Sequence, residues 1–315
     1  MNRDTRLVVK DNALIDASFN LSLIEQRLML LAIVEARELQ KLTPDTPVEI
    51  RATAYMEQYK IDERNAYKQL HDSSKQLFNR QFSYIDRYAD TDAITVSRWV
   101  NEVTYIKDKG MVVMYLNRNV INMISRLEEQ FTKYHLSQIS ELTSQYSIRL
   151  YEILIKFLVV GNSNKYSLNE LRNLLGIGID EYSQMSGFKK RVLDLAVDEI
   201  NMKTDIQIKY EQFKNGRTIS HILFKISKKK DKKSKDNKDN NTIDMFSGLS
   251  IKQCLMFGDK LSRDKDFQNH YTAQIGENIE DYSERIATML SDPFYVKEWI
   301  KYLENVGYVP IGSSK

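Results

Sequence analysis

From Gly187 the chain reads Gly-Phe-Lys-Lys-Arg-Val-Leu-Asp-Leu-Ala-Val-Asp-Glu-Ile-Asn through Asn201. After a short spacer come Asp205-Ile-Gln-Ile-Lys-Tyr210, the turn Lys214-Asn-Gly-Arg217, and His221-Ile-Leu-Phe-Lys-Ile226. Phe188, Val192, Leu195, Ala196 and Ile200 recur at helical spacing and predict one apolar stripe. Lys190 and Arg191 fall off that stripe, and Lys189 lies near its edge. Such a helix can bury one side and offer cations from the other, while the positive end of its dipole favours phosphate. Ile206, Ile208 and Tyr210 alternate, as do Ile222, Phe224 and Ile226, and Asn215-Gly216 is expected to supply the positive backbone dihedrals of a tight hairpin turn. A helix with a basic first turn followed by a basic-tipped hairpin is the layout of a winged helix-turn-helix.

The same order recurs upstream. Asp62 is placed to cap a helix over 63–79, with Ala66, Leu70, Ser74 and Leu77 facing inward and Arg64, Asn65, Lys68, Gln69 and Lys75 left for other partners. Strand-like runs follow at 81–85, 93–106 and 111–116, with Asp108-Lys109-Gly110 turning the last pair. Each half opens on a long helix. Ser22-Leu-Ile-Glu25 is a capping box leading into Leu28, Leu31, Ala32 and Leu39, with Leu30, Ile33 and Val34 widening the apolar surface. In the second half Ile148, Tyr151, Ile155 and Leu158 mark a helix over about 144–159. Ser167-Leu-Asn-Glu170 is another capping box, continued by Leu168, Leu171 and Leu175 until Gly176 stops it.

At these residues the chain resembles the iteron-binding plasmid replication initiators of the RepE type. The matching segments are Asn12-Ala-Leu-Ile15 with Leu21-Ser-Leu-Ile-Glu-Gln-Arg27, Phe131-Thr-Lys-Tyr-His-Leu136, Tyr146-Ser-Ile-Arg-Leu-Tyr-Glu152, Phe188-Lys-Lys-Arg-Val-Leu193 with Val197-Asp-Glu-Ile-Asn201, and the run Gly216 to Phe224. They fall in the family's order across 8–227. The resemblance implies tandem winged-helix domains that read one DNA repeat, the second giving the main base contacts through the helix at Phe188. It further implies monomers that bind origin direct repeats and start replication, and dimers, joined through the first domain, that bind an operator inverted repeat and repress their own gene. Lys189, Lys190 and Arg191 match the family's basic cluster. Two are lysines, point charges without the forked geometry of arginine. Asp194 and Asp198 either accept a bond from a cytosine amine or face solvent.

The expected architecture is α+β, mostly helical: a winged-helix domain at 1–125, a second at 126–227, a lysine-rich linker at 228–242 and a helical extension at 243–315. The length suits about two domains, and 42% hydrophobic content supports real cores. A net charge of +3 hides an uneven distribution: seven lysines and three aspartates crowd 228–241, whereas 242–315 sum to −3 and 1–227 to +2. DNA affinity must therefore come from local patches and should weaken steeply with salt. In the tail, 249–261, 283–290 and the run from Pro293 read as helices that could dock a partner protein or cover the DNA-binding core.

Other chemistries find little support in these residues. A single cysteine, Cys254, forms no internal disulfide and no multi-cysteine zinc site, and His71, His135, His221 and His270 lack ligand spacing, so no metal or cofactor is expected. Gly176-Ile-Gly178 lacks the third glycine of a dinucleotide fingerprint, no Walker lysine loop occurs, and adjacent acids such as Glu128-Glu129 are surface charges. Phe82, Tyr84, Tyr88 and Trp99 sit in strand contexts that favour core or dimer packing over base stacking. The start of the chain has no signal-peptide stretch and no run spans a bilayer, so a cytoplasmic protein is expected.

The candidate DNA-binding residues are thus Lys189, Lys190, Arg191 and Asp194 on one helix, Lys214, Asn215 and Arg217 on its wing, and Arg64, Asn65, Lys68, Gln69 and Lys75 on the other helix. Wing cations would hold phosphates and position the protein without reading bases. The paired helices would enter successive major grooves roughly 10 base pairs apart, and the host initiator and helicase machinery would follow. One rival function is a repressor binding only a palindromic operator. The other is a rolling-circle nickase, an enzyme disfavoured by the lack of a His-hydrophobic-His motif.

Overall fold

The computed structural model describes residues 6–39, 41–88, 91–125, 131–178, 180–229, 249, 251–273, 278–290 and 293–308. The chain divides into two compact units, Met1–Lys229 and Lys230–Lys315. The rest of the expected linker, 230–242, and the pair Glu128-Glu129 lie outside the described residues. The linker's first two residues do not: Lys228 ends a strand, and the backbone N–H of Lys229 bonds to the Asp205 carbonyl.

The first unit opens with β1 (Leu7–Asp11), α1 (Asn12–Ile15) and β2 (Ser18–Phe19), then α2 (Leu23–Arg37). The capping box on α2 forms in full: the Ser22 hydroxyl accepts from the Glu25 N–H, and the Glu25 carboxylate accepts from the Ser22 N–H at 2.7 Å. Nearly every face of α2 is buried, including Glu25, which Arg80 pairs at 2.7 Å. Leu39, expected to line this helix, lies beyond its end and is exposed. Next come β3 (Pro47–Arg51), α3 (Ala52–Tyr59) and α4 (Glu63–Phe78), then β4 (Gln81–Tyr88), β5 (Thr91–Arg98), β6 (Val100–Ile106), β7 (Met111–Leu116) and α5 (Arg118–Ser125).

The expected strand over 93–106 is two strands in two sheets. The break falls at Trp99, whose ring is buried against Phe19 and Phe82 with centroids at 4.9 and 4.7 Å, so burying the indole turns the chain out of one sheet and into the next. Phe82 and Trp99 are core residues and Tyr84 stacks on Phe82; the side chain of Tyr88 lies outside the described part.

The second half holds β8 (Phe131–His135), α6 (Gln145–Ile155), β9 (Tyr166–Ser167), α7 (Leu168–Leu174), then α8 (Met185–Phe188), a π-helical turn (Lys189–Leu193) and α9 (Asp194–Lys203) in unbroken succession, and the hairpin β10 (Ile206–Asn215) and β11 (Thr218–Lys228). Helix, strand, two helices and hairpin therefore occur twice. The sheets agree strand for strand: β3-β7-β6 in the first module and β9-β11-β10 in the second, the first strand pairing with the last in each. The hairpin β4–β5, which pairs with β2, is an insertion in the first module between α4 and its wing.

The halves share one apolar cluster running from Val8 to Ile226. They are also stitched by polar contacts: β1 pairs antiparallel with β8, and Arg149 on α6 donates to the carbonyls of Ile15, Ala17 and Leu174 at 3.0, 3.0 and 2.9 Å. Buried beside it, Glu152 accepts from Lys10 at 2.5 Å, Tyr134 at 2.6 Å and Arg149 at 3.2 Å. Burial pushes the Lys10 and Arg149 pKa values down, with Glu152 opposing, while these partners outweigh burial and hold the Glu152 carboxyl below its ordinary range. Gly176 takes φ +70° where a side chain would collide with the Phe19 carbonyl, so the stop expected after α7 is also a close approach between the halves.

The second unit holds α10 (Ile251–Arg263), α11 (Lys265–His270), α12 (Ile279–Leu290), α13 (Pro293–Glu298) and α14 (Ile300–Asn305) around its own core of Phe257, Leu261, Phe267, Tyr282, Leu290 and Trp299. Proline occupies the first position of α13, where its missing N–H costs nothing. No helix among the described residues is long and apolar enough to cross a membrane.

Candidate nucleic-acid interface

Two structurally equivalent helices, α4 and the α8–α9 run, carry the sequence-predicted residues. In α4, Ala66, Leu70, Ser74 and Leu77 face the core as the spacing predicts. Arg64, Asn65, Lys68 and Lys75 are exposed on the other side. Asp62 caps the helix and engages Asn65 twice, from its N–H at 3.0 Å and its side-chain amide at 2.6 Å, and these bonds lower the Asp62 pKa. Gln69 is half-buried and accepts from the Tyr55 hydroxyl at 3.1 Å. Asn65 and Gln69 are therefore engaged by other groups of the protein, whereas no side-chain partner of Arg64, Lys68 or Lys75 is found among the described residues.

In the second module Phe188, Val192, Leu193, Ala196 and Ile200 are buried, whereas Leu195, assigned to the stripe from its spacing, is 39% exposed. The π-helical turn at Lys189–Leu193 explains the change: a wider turn shifts the helical phase, so Leu193 rotates inward and Leu195 outward. Lys190 and Arg191 are exposed, and among the described residues neither makes a side-chain hydrogen bond or ion pair. Lys189 is half-buried with its Nζ 5.9 Å above the Tyr210 ring. The Tyr210 hydroxyl donates to Asp194 at 2.6 Å, and burial together with this carboxylate raises the tyrosine pKa. Asp194 thus ties α9 to the first wing strand, and Lys189 packs over the same ring. This α8–α9 run starts at Gln184 with no side-chain cap.

Glu199, on the opposite edge, reaches the start of α6. It accepts from the Thr143 and Ser144 N–H groups at 3.0 and 3.1 Å and from Lys203 at 2.6 Å. Burial raises its pKa, but the bonds from Lys203 and Thr143 prevail and hold the carboxyl at about 2.

The wing is longer than its alternating residues suggest, running from Ile206 to Lys228 with a bulge after Phe213. Its loop is Gly216-Arg217, and Asn215 pairs with Thr218 inside the ladder; only Gly216 takes a positive φ, of 62°. The expectation that both Asn215 and Gly216 adopt positive dihedrals is corrected here, because Asn215 completes the ladder. Lys214, Asn215 and Arg217 all stand exposed at the tip. The first wing presents a matching pair, Lys107 and Lys109, on the short helical turn between β6 and β7. Sequence reasoning used Asp108-Lys109-Gly110 only as a turn; the likeness of Lys-Asp-Lys-Gly to Lys-Asn-Gly-Arg at the second tip was the signal that could have found these cations.

Two family profiles match the chain: initiator replication protein WH1 over residues 7–155, and initiator Rep protein WH2 over 167–226. The chain belongs to the initiator Rep protein family. This initiator is 22% identical over 261 residues to a replication initiation protein from Escherichia coli, covering 81% of the chain and 77% of that protein. It is 24% identical to an uncharacterized 27.6 kDa protein from the same organism, covering 69% of the chain and 94% of the relative. Among solved structures it resembles the Pi initiator protein crystallised in complex with iteron DNA, with a TM-score of 0.59, 25% identity, and coverage of 73% of this chain and all of that one. The initiator is thus a tandem winged-helix protein of α+β class, with a helical unit following the matched region.

Proposed function

We propose that this Rep initiator binds repeated double-stranded sites in a plasmid origin, with the α8–α9 run as principal base reader and α4 as the second groove-entering helix. One observation carries the reading: topologically matched modules each hold a helix by its apolar side and leave cations on the other, beside a wing with basic residues at its tip. Lys190 and Arg191 have the reach and freedom for groove contacts, while Lys214, Arg217, Lys107 and Lys109 are suited to phosphates. The Pi initiator's complex with iteron DNA supports the same use of this fold. The activity proposed is binding without covalent chemistry, in the cytoplasm where the plasmid resides, followed by recruitment of the host initiator and helicase machinery. Footprinting on DNA flanking its own gene should show protected direct repeats with groove contacts roughly 10 base pairs apart. Absence of protection would overturn the reading, as would a covalent phosphotyrosine adduct with origin DNA.

A homodimer through the first module is part of the same proposal. The inserted hairpin leaves β5 as a sheet edge, and Ile85, Ile94 and Val96 are 70%, 80% and 61% exposed on one face of it. An open apolar edge of this kind suits a second copy of itself, giving the palindrome-binding repressor form. Replacing Ile94 with Lys should raise the monomer fraction in sedimentation and weaken inverted-repeat binding while direct-repeat binding persists.

A further inference from the structure

Glycine within a helix needs a reason, because it loses more backbone freedom on folding than any other residue. The other helical glycine among the described residues, Gly258 in α10, has an internal one: a Cβ there would lie 2.7 Å from the Ser283 carbonyl oxygen of the helix packed against it. Gly187 in α8 has none. Its backbone is helical, its φ is not positive, and nothing lies within 4 Å of the point a Cβ would occupy. That open point lies three and four residues ahead of Lys190 and Arg191, the neighbouring positions on the same helical face, and both cations are exposed and unpaired among the described residues.

We propose that Gly187 is a DNA-approach residue: the absence of a side chain lets the duplex come into van der Waals contact with the helix backbone, close enough for Lys190 and Arg191 to engage it. This rests on the origin-binding reading above. A methyl group would fit the protein without displacing anything, yet would hold the duplex away from those cations.

The test is Gly187→Ala in the full-length chain, with thermal melting and binding measured in parallel on the duplex that wild type protects and on an unrelated duplex. Melting should rise by roughly 2–4 °C, since alanine is the better helix former and no clash opposes it. Affinity for the protected duplex should fall roughly tenfold or more, a change of about 1.4 kcal/mol. A loss confined to the cognate duplex assigns the contact to a base edge; an equal loss on both duplexes assigns it to a phosphate strand. Unchanged affinity, or melting below wild type, overturns the proposal while leaving origin binding intact. If wild type itself protects no DNA, the underlying reading falls instead.

Discussion

Helix α4 is closed at its start by Asp62, and its two candidate amides are engaged by the protein, Asn65 with that cap and Gln69 with Tyr55. The α8–α9 run in the same topological place has no side-chain cap, contains a widened turn, and leaves Lys190 and Arg191 without intramolecular partners among the described residues. The first helix commits its two candidate amides to its own fold; the second commits Asp194 to Tyr210 but leaves its two candidate cations, Lys190 and Arg191, uncommitted. A polar group already satisfied inside the protein gains little from a base, because the new bond must replace an existing one. The contrast supports the proposed division of labour, in which the second module reads sequence and the first contributes grip.

The largest test addresses what the two modules share. Replacing Glu152 with Ala would leave Lys10 and Arg149 buried without their counter-charge, and denaturant unfolding should show a loss of about 3–5 kcal/mol. A loss below about 1 kcal/mol would mean that the junction does not depend on this cluster. Next comes a direct contrast of the helices. Reversing Lys190 and Arg191 to Glu should reduce affinity for the cognate duplex at least about 100-fold with little change in melting, whereas the matched reversal of Arg64 and Lys68 should cost roughly tenfold. Equal losses would abolish the distinction between reader and support.

Wing substitutions are smaller and differ in kind. Lys214→Ala with Arg217→Ala should weaken cognate and unrelated DNA alike, and lower the slope of log affinity against log salt by roughly one for each phosphate contact removed. A change in sequence preference would contradict their assignment to the backbone. The smallest effect concerns Glu199, whose folded pKa of about 2 lies below its unfolded value. A depressed carboxylate contributes stability that is present above the unfolded pKa and lost as pH falls toward the folded one. Glu199→Gln should therefore cost about 1–2 kcal/mol at neutral pH and flatten the acid limb of the stability curve between about pH 4.5 and 2; an unaltered acid limb would show that the carboxylate is not what joins α9 to α6.

Much of this molecule is legible in one dimension because its signals are local. Ser22 and Ser167 cap their helices because the partner Glu lies three residues away, and the alternation in Ile206–Tyr210 and Ile222–Ile226 declares a hairpin without reference to the rest of the chain. The misreadings arise where distant residues intervene. Trp99 breaks an apparently continuous strand because its indole is buried between Phe19 and Phe82, and Leu195 turns outward because the π-helical turn, invisible to a fixed 3.6-residue period, shifts the phase. Asp194 looks equally free for a base in the sequence, but its partner Tyr210 comes from the wing.

The order of apolar and basic residues was enough to specify two winged-helix modules and which helix faces carry cations, since periodicity, caps and turns depend on near neighbours. Only the tertiary structure decided which of those polar side chains are already committed, how Arg149 and Glu152 fasten one half to the other, and that open space lies beside Gly187. Those outcomes are set by contacts between residues far apart in the chain, and spacing along a sequence does not encode them.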